Sequence, residues 1–223
     1  MSDTDSFIDE VTEEVRKDQL YGYLRRYGWI AVLVILAIVG GTAFNEYRQA
    51  QQRAAAEQLG DALIAALQEP DAASRAGALE AVDPQSPGGT AVRDFLLAAE
   101  ETAAGRTDAA VATLDGISAN GELPEIYRQI ASFKALTLQG TALSVEERRL
   151  SFESLARPDA PLRLLAIEQL ALIDIEEGDT DAAIARLRDL VLDAEATTDL
   201  QQRARQAIVA LGGELELVPG QQG

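Results

Sequence analysis

The sequence contains neither cysteine nor histidine, and aromatic residues make up only 5% of it. The missing cysteines exclude disulfides and thiolate nucleophiles, and the missing histidines exclude imidazole acid–base catalysis. Together, the two absences exclude zinc sites built on cysteine or histidine. Lysine is also scarce, since Lys134 is the only one after residue 44. These absences remove the commonest catalytic and metal-binding arrangements and leave the cellular compartment open.

Other catalytic patterns are also missing. Gly88-Gly89 precede a predicted helix without the Lys-Ser/Thr of a phosphate-binding loop. Ser132 and Lys134 are two positions apart, so they point to different faces of a helix. Oxygen-only cation binding stays open, although there is no EF-hand loop. The acidic pairs are expected on solvated helix faces; they are Glu100-Glu101, Glu146-Glu147 and Glu176-Glu177. The sequence therefore predicts a protein that is not an enzyme and has no cofactor or metal.

A run of 17 residues without a charge, from Gly28 to Phe44, stands out from the rest of the chain. Each large apolar side chain in it gains about 1.5–3 kcal/mol when it leaves water. The length is at the short end of the ~17–25 residues that span a bilayer as a helix. We therefore predict a transmembrane helix over residues 27–45, which includes Gly28, Trp29, Ile35, Gly40 and Phe44.

The charges that flank this run predict its orientation. Four basic residues precede the run and two follow it closely, which favours a cytoplasmic segment 1–26 and a C-terminal part on the other side of the membrane. The inverted topology stays open because the difference is small. A cleaved signal peptide is a weaker alternative, since the residues before the run include seven acids. A buried core helix is weaker still, because the run is apolar on all sides.

The formal net charge is −18, and most of it lies beyond residue 26. A domain this acidic is repelled by nucleic-acid phosphates and by anionic lipid surfaces. The charge therefore argues against nucleic-acid binding, but it does not identify a protein partner. With no catalytic constellation in the sequence, we expect no small-molecule substrate.

Residues 46–212 are rich in strong helix formers and lack the alternation of strands, which predicts an all-α fold. GRTDAAVATL at 105–114 matches GDTDAAIARL at 178–187 in seven of ten positions. Turn signals at positions 70, 105, 140 and 178 are 35, 35 and 38 residues apart, close to the tetratricopeptide period of about 34. We therefore predict a tetratricopeptide-like solenoid over 46–212; an irregular Ala-rich bundle is the alternative.

The same turn signals predict where the individual helices begin and end. The unit around Gly140 fits the repeat poorly, because Arg149 stands where an apolar residue is expected. A final helix, Asp199–Leu211, is expected to cap the solenoid, and residues 213–223 are expected to form a flexible tail. The other predicted helices include Ala54–Gln68, Ser74–Val82, Pro124–Leu138, Val145–Leu155, Pro161–Glu177 and Asp181–Asp193.

Stacked helical hairpins bind proteins through an extended concave surface. In the last repeat, the residues expected to line this groove are Leu165, Glu168, Leu172 and Ile175. A groove of mixed apolar and acidic character would suit unfolded or basic segments. The alternative is that these leucines contact the final helix.

The sequence also resembles a known family. The phrase FIDEVTEEVRKDQLYGYLRRYGW, one membrane helix and degenerate tetratricopeptide units are together similar to the YfgM-like ancillary subunits of the bacterial Sec translocon. The resemblance covers about residues 6–212, and the N-terminal phrase is its most specific part. It implies an inner-membrane protein with a periplasmic repeat domain, in contact with the translocon and with a membrane-anchored periplasmic chaperone. A scaffold for another envelope complex, in cell division or cytochrome assembly, is the alternative function.

Overall fold

The structure of the protein, a computed structural model, describes the backbone of residues 3–214 and the side chains of residues 25, 26, 29, 30 and 33–214. Within residues 3–214 there are nine α-helices, one short 3-10 helix and no β-strand. The prediction of an all-α fold is therefore confirmed. The chain forms two compact units, Met1–Gln58 and Leu59–Gly223.

The helices follow one another with short connections. They are α1 (Asp3–Leu67), α2 (Ala72–Glu80), α3 (Pro87–Ala103), α4 (Thr107–Ala119), α5 (Glu125–Gln139), a 3-10 turn (Gly140–Ala142), α6 (Val145–Leu155), α7 (Arg163–Glu176), α8 (Thr180–Leu192) and α9 (Thr198–Ala210). The predicted helix Val145–Leu155 has the bounds of α6, and the predictions for α8 and α9 differ by one residue at each end. Four predictions differ more. Ser74–Val82 begins and ends two residues later than α2, and Pro161–Glu177 begins two residues before α7. The segment 54–68 is the end of the much longer α1, and Gly88-Gly89 lie inside the first turn of α3, because Pro87 takes the first helical position.

Helix α1 contains the predicted membrane span. The large apolar side chains of this span that the structure describes, such as Trp29, Ile35 and Phe44, are exposed. Within the described part of the chain, no helix combines the length and the apolar character that a membrane crossing requires. Residues 27, 28, 31 and 32 of the predicted span lie outside the described side chains, as do 1–24 of the predicted cytoplasmic segment and 215–223 of the predicted tail. The membrane crossing therefore stays a prediction.

The core of the second unit consists of four apolar clusters in chain order. The first joins the end of α1 to α2 and α3, and the second joins α3, α4 and α5. The third joins α5, α6 and α7, and the fourth joins α7, α8 and α9. Each of α3, α5 and α7 thus buries one side in the preceding cluster and another side in the following one. A third side of each of these helices remains outside the clusters.

The second unit contains two matching halves, α2–α5 and α6–α9, offset by 73 residues. Helices α4 and α8 both have 13 residues, and both begin at a Thr-Asp-Ala-Ala sequence. The offset also relates buried positions on three pairs of helices; examples are Leu97 and Leu170, Ala98 and Ala171, Ala110 and Ala183, Leu114 and Leu187, Ile117 and Leu190, and Ala131 and Ala204. The match between 105–114 and 178–187 is therefore one part of a longer correspondence.

The same type of turn ends α3 in the first half and α7 in the second half. Gly105 and Gly178 have φ angles of 74° and 80°, a backbone conformation that favours glycine. In each turn the next N–H reaches back five residues. Arg106 donates to the Glu101 carbonyl at 2.8 Å, and Asp179 donates to the Asp174 carbonyl at 2.9 Å. These reverse bonds end α3 and α7 and direct the chain into the following helix.

Arg149 and α9 show where the halves differ. Arg149 takes the position that Ala76 has in the first half, and it forms ion pairs with Asp174 on α7 and with Glu177 directly after α7. The polar residue that weakened the repeat pattern thus joins two neighbouring helices. On α9, Gln206 and Val209 take the positions of Phe133 and Leu136, which pack into the third cluster. Because Gln206 and Val209 are both exposed, α9 ends the array with a more polar side.

Candidate protein-binding face

The open side of α5 follows from the residues that it buries. Ala131 and Ala135 belong to the second cluster, and Leu136 belongs to the third. At about 100° per residue, the direction away from both clusters is that of Ile130 and Lys134, and Tyr127, one turn before Ala131, borders this side next to the second cluster. Tyr127 and Lys134 are exposed, and Ile130 is half-buried.

The open side of α3 is derived in the same way. Ala91 and Ala98 face the second cluster, and Leu97 faces the first. The remaining direction contains Val92 and Ala99, and both side chains are exposed. On α7, Leu170 and Ala171 face the third and fourth clusters. The remaining direction there contains the four residues that the sequence predicts for a groove, Leu165, Glu168, Leu172 and Ile175.

The open sides of these helices belong to one face of the second unit. The start of α2 meets the end of α3 through Arg75 and Glu100, and the start of α6 meets the end of α7 through Arg149 and Asp174. Neighbouring helices are therefore antiparallel, and alternate helices share a direction. Each of α3, α5 and α7 has three sides around its axis. Going around the axis in one sense, the side that faces the following cluster comes first, then the open side, then the side that faces the preceding cluster. This order is the same on all three helices. We call the open sides of these helices the open face.

The open face carries four of the eight exposed large apolar side chains that the structure describes in the second unit. Val92, Tyr127 and Leu172 are 49%, 44% and 48% exposed, and Ile126 is exposed beside Tyr127. The other four are Ile64 on the end of α1, Leu150 on α6, Leu192 on α8 and Val209 on α9. Covering a large apolar side chain completely contributes about 1.5–3 kcal/mol, so this face is where a partner gains most.

The predicted groove residues on α7 do not have equal access to a partner. Leu172 is exposed, whereas Leu165 packs against the fourth cluster together with α9. The Glu168 carboxylate accepts two hydrogen bonds of 2.8 Å from Nε and Nη2 of Arg203 on α9. These bonds are the main reason why the pKa of Arg203 is raised above its usual value. Glu168 is thus bonded to the final helix, and Leu165 packs against the cluster that α7, α8 and α9 share; the alternative that the leucines contact the final helix stays a prediction.

The charge of the open face differs from that of the whole chain. On α3 the face is uncharged, and on α7 Glu168 is paired with Arg203. Glu176, which borders the face, pairs with Arg148 at 2.7 Å. On α5 the face carries Lys134, which makes no ion pair with any residue that the structure describes. The carboxylates of Glu168 and Glu176 are therefore already paired with arginines, and the expectation that a mixed apolar and acidic groove suits unfolded or basic segments stays a prediction.

The acidic pairs show that sequence alone misplaced some carboxylates. Glu101 is 4% exposed, and its Oε2 accepts a hydrogen bond of 2.9 Å from the Thr113 hydroxyl on α4. Glu147 binds back to Ser144 in a capping box at the start of α6. The prediction of solvated faces is therefore wrong for Glu101, since the fold uses this carboxylate to join α3 to α4.

The described residues contain little that resembles a catalytic site. No group of three carboxylates in this part of the chain could hold a metal ion. A shallow cavity of about 500 Å³ lies between the α6–α7 and α8–α9 connections. Its arginine, Arg163, is already bonded to Asp193 and Glu195 at 2.8 Å, and these bonds raise the pKa of the arginine. The cavity thus holds an internal ion-pair cluster that joins the two connections.

Sequence reasoning missed Val92, Tyr127 and Lys134 as surface residues of interest. Two signals were present, since Lys134 is the only lysine of this region and tyrosine is rare in it. What was missing is the direction in which each helix buries its side chains. No protein-family model, no curated protein and no solved structure matches the chain. The resemblance to the translocon subunits therefore stays a prediction.

Proposed function

We propose that this protein is a non-enzymatic, membrane-anchored interaction module whose second unit binds segments of other proteins through the open face. The observation that carries the proposal is the concentration of exposed apolar side chains on the one side of α3, α5 and α7 that the clusters leave free. A monomeric soluble domain gains nothing from such a concentration, whereas a binding surface does.

The proposed architecture is a tetratricopeptide-like solenoid of helical hairpins. It is supported by the four clusters in chain order and by the offset of 73 residues between the halves. In stacked repeats each unit contacts mainly its neighbours, and the stack presents an extended surface to a partner. The more polar outer side of α9 fits the role of a terminal cap.

The proposed location is a membrane, with the second unit on the side opposite to residues 1–26. It is supported by the 17 uncharged residues and by the four basic residues that precede them. A reporter fused after Gly223 tests this orientation. Activity confined to the outside of the cytoplasm is expected, and activity confined to the cytoplasm would refute the orientation.

The proposed partners follow the resemblance of the N-terminal segment. They are the Sec translocon and a membrane-anchored periplasmic chaperone, which the open face would hold near emerging proteins. The alternative is a scaffold in a cell-division or cytochrome-assembly complex. Because both functions use the same fold, the identity of the partners distinguishes them.

The test compares crosslinked partners of the full-length protein after extraction in mild detergent. The double variant Val92→Ala/Tyr127→Ala removes apolar area from the open face, and Leu192→Ala removes an exposed leucine at the end of α8. We expect partners to be lost from the double variant and retained by the α8 control. If both variants keep all partners, the open face is not the binding surface. If translocon subunits and chaperones are absent from the partners, the proposed location at the translocon is wrong.

A further inference from the structure

We propose that the bound segment is apolar and carries carboxylate groups, and that its main contacts are with α3 and α5, where Lys134 pairs with a carboxylate. This inference rests on the proposed function and specifies the chemistry of the partner. It differs from the expectation of a basic client bound at the last repeat.

The first step concerns apolar contact, which the first half of the unit leaves open. Tyr127 on α5 is 44% exposed, whereas Leu200, which takes the matching position on α9, is 3% exposed. Leu200 is covered because it packs into the fourth cluster. The same position thus contributes to the core in one half and to the surface in the other. Val92 lies on the alternate helix α3, also near its start, so a partner has apolar contacts on two helices.

The second step compares the contact between alternate helices in the two halves. Between α7 and α9 it is the ion pair of Glu168 with Arg203. The matching positions on α3 and α5 are Phe95 and Ile130, and Phe95 packs against the second cluster. The open face is therefore charged but internally neutralised at its α7 end, and apolar at its α3–α5 end. An apolar segment loses least by desolvation at the α3–α5 end.

The third step concerns the one charge at this end. Seven of the twelve arginines of the second unit form ion pairs with carboxylates. In the first half Arg75 and Arg93 do so, whereas Arg106 and Arg128 pair with no described carboxylate. Lys134 lies two turns after Tyr127 on the open side of α5, and no described carboxylate binds it. A partner carboxylate would meet an unpaired ammonium there, whereas a basic side chain would meet a like charge. The distant acidic residues weigh less, since salt screens charges beyond about 8 Å at physiological ionic strength.

The experiment uses the full chain in lipid nanodiscs and three fluorescent peptides with the same apolar residues. The peptides differ at three fixed positions, which hold Glu, Gln or Lys. Binding is followed by anisotropy at physiological salt. We expect the Glu peptide to bind about three- to fivefold more tightly than the Gln peptide, as for one exposed ion pair, and the Lys peptide to bind most weakly.

Two charge variants and one apolar variant locate the contact. Lys134→Glu is expected to reverse the order of the Glu and Lys peptides. Arg106→Glu, which changes an exposed arginine in the turn between α3 and α4, is expected to keep the order. Tyr127→Ala is expected to weaken all three peptides by a similar factor.

The possible failures are distinguishable. Equal binding of the three peptides, tighter binding of the Lys peptide, or an order that Lys134→Glu leaves unchanged would overturn the inference and leave the proposed function standing. If none of the peptides binds the wild-type protein, the proposed function fails, and the inference fails with it.

Discussion

The Nε of Arg186 on α8 donates a hydrogen bond of 2.9 Å to Oδ2 of Asp174 on α7, although only 3% of the Asp174 side chain is exposed. The other carboxylate oxygen of Asp174 lies 2.8 Å from Nη1 of Arg149 on α6. One buried carboxylate therefore joins three consecutive helices. In the first half of the unit, Glu101 takes the matching position with Thr113 as its partner. The two halves thus fill the same place with different chemistry.

Replacing Asp174 is expected to destabilise the second unit. In Asp174→Asn the carboxylate is lost while Arg186 and Arg149 remain. Breaking a buried ion pair costs about 3–5 kcal/mol, and we expect about 3 because Arg149 keeps Glu177 and Arg186 reaches solvent. Urea unfolding measures the loss. Asp189→Asn on the exposed side of α8 is the matched control and should change stability little; an equal loss in both variants would contradict this role for Asp174.

The same carboxylate predicts a dependence on pH. Burial raises the pKa of Asp174, but the hydrogen bonds from Arg186 and Arg149 outweigh burial and hold the pKa below its ordinary value of 3.8. A lowered pKa in the folded state means that the stabilisation is complete well above pH 4 and is lost as the pH falls through the folded value. The stability difference between wild type and Asp174→Asn should therefore be largest near pH 7 and shrink below about pH 4. Thermal unfolding between pH 3 and pH 7 measures it, and a constant difference would rule out this titration.

Placing an arginine of the second half at the matching position of the first half is expected to stabilise the first half. Thr113→Arg places a guanidinium where Arg186 stands in the second half, next to the buried Glu101 carboxylate. Hydrogen bonds to charged groups contribute about 1.5–3 kcal/mol, and ordering the long side chain offsets part of this, so we expect a gain of about 1. Urea unfolding of Thr113→Arg tests the gain. If Thr113→Arg is less stable than wild type, the two halves do not share this site.

Two adjacent glycines in α3 are expected to respond differently to alanine. A Cβ at Gly89 would lie 2.8 Å from Cδ2 of Leu59 and 3.2 Å from Cβ of Pro84. A Cβ at Gly88 has open space around it. Gly89→Ala should destabilise by about 1–2 kcal/mol through overpacking, whereas Gly88→Ala should be neutral or stabilising by up to about 1. Thermal unfolding of the two variants separates these effects, and equal midpoints would show that Leu59 moves aside freely.

Most helices of the second unit were predictable because residues at or next to each helix end determine where the helix ends. Gly105 and Gly178 end helices through a backbone angle that other residues avoid, and the apolar spacing marks the buried side. The start of α7 was less predictable, since the helix begins at Arg163 and not at Pro161. The loop before α7 contains Asp159 with a φ of 65°. This angle is uncommon for a residue other than glycine, and the sequence pattern did not predict it.

The candidate surface was only partly predictable. Leu172 is exposed, and its spacing from Leu165 and Glu168 is that of one helix face, but its place in a groove stays a prediction. The pairing of Glu168 with Arg203 was not predictable, since 35 residues separate the partners. The same holds for Glu101, whose burial depends on how closely α4 approaches α3.

The sequence by itself determined the all-α class, the helix punctuation and the absence of cysteine and histidine chemistry. These properties depend on residue type and on spacing within a turn or two of helix, so no long-range contact is needed to recognise them. Only the tertiary structure decided which carboxylates are buried, why Arg149 is accommodated, and which side of α3, α5 and α7 stays open. Those outcomes depend on contacts between residues far apart in the chain, and the direction of such contacts is set by how the helices pack.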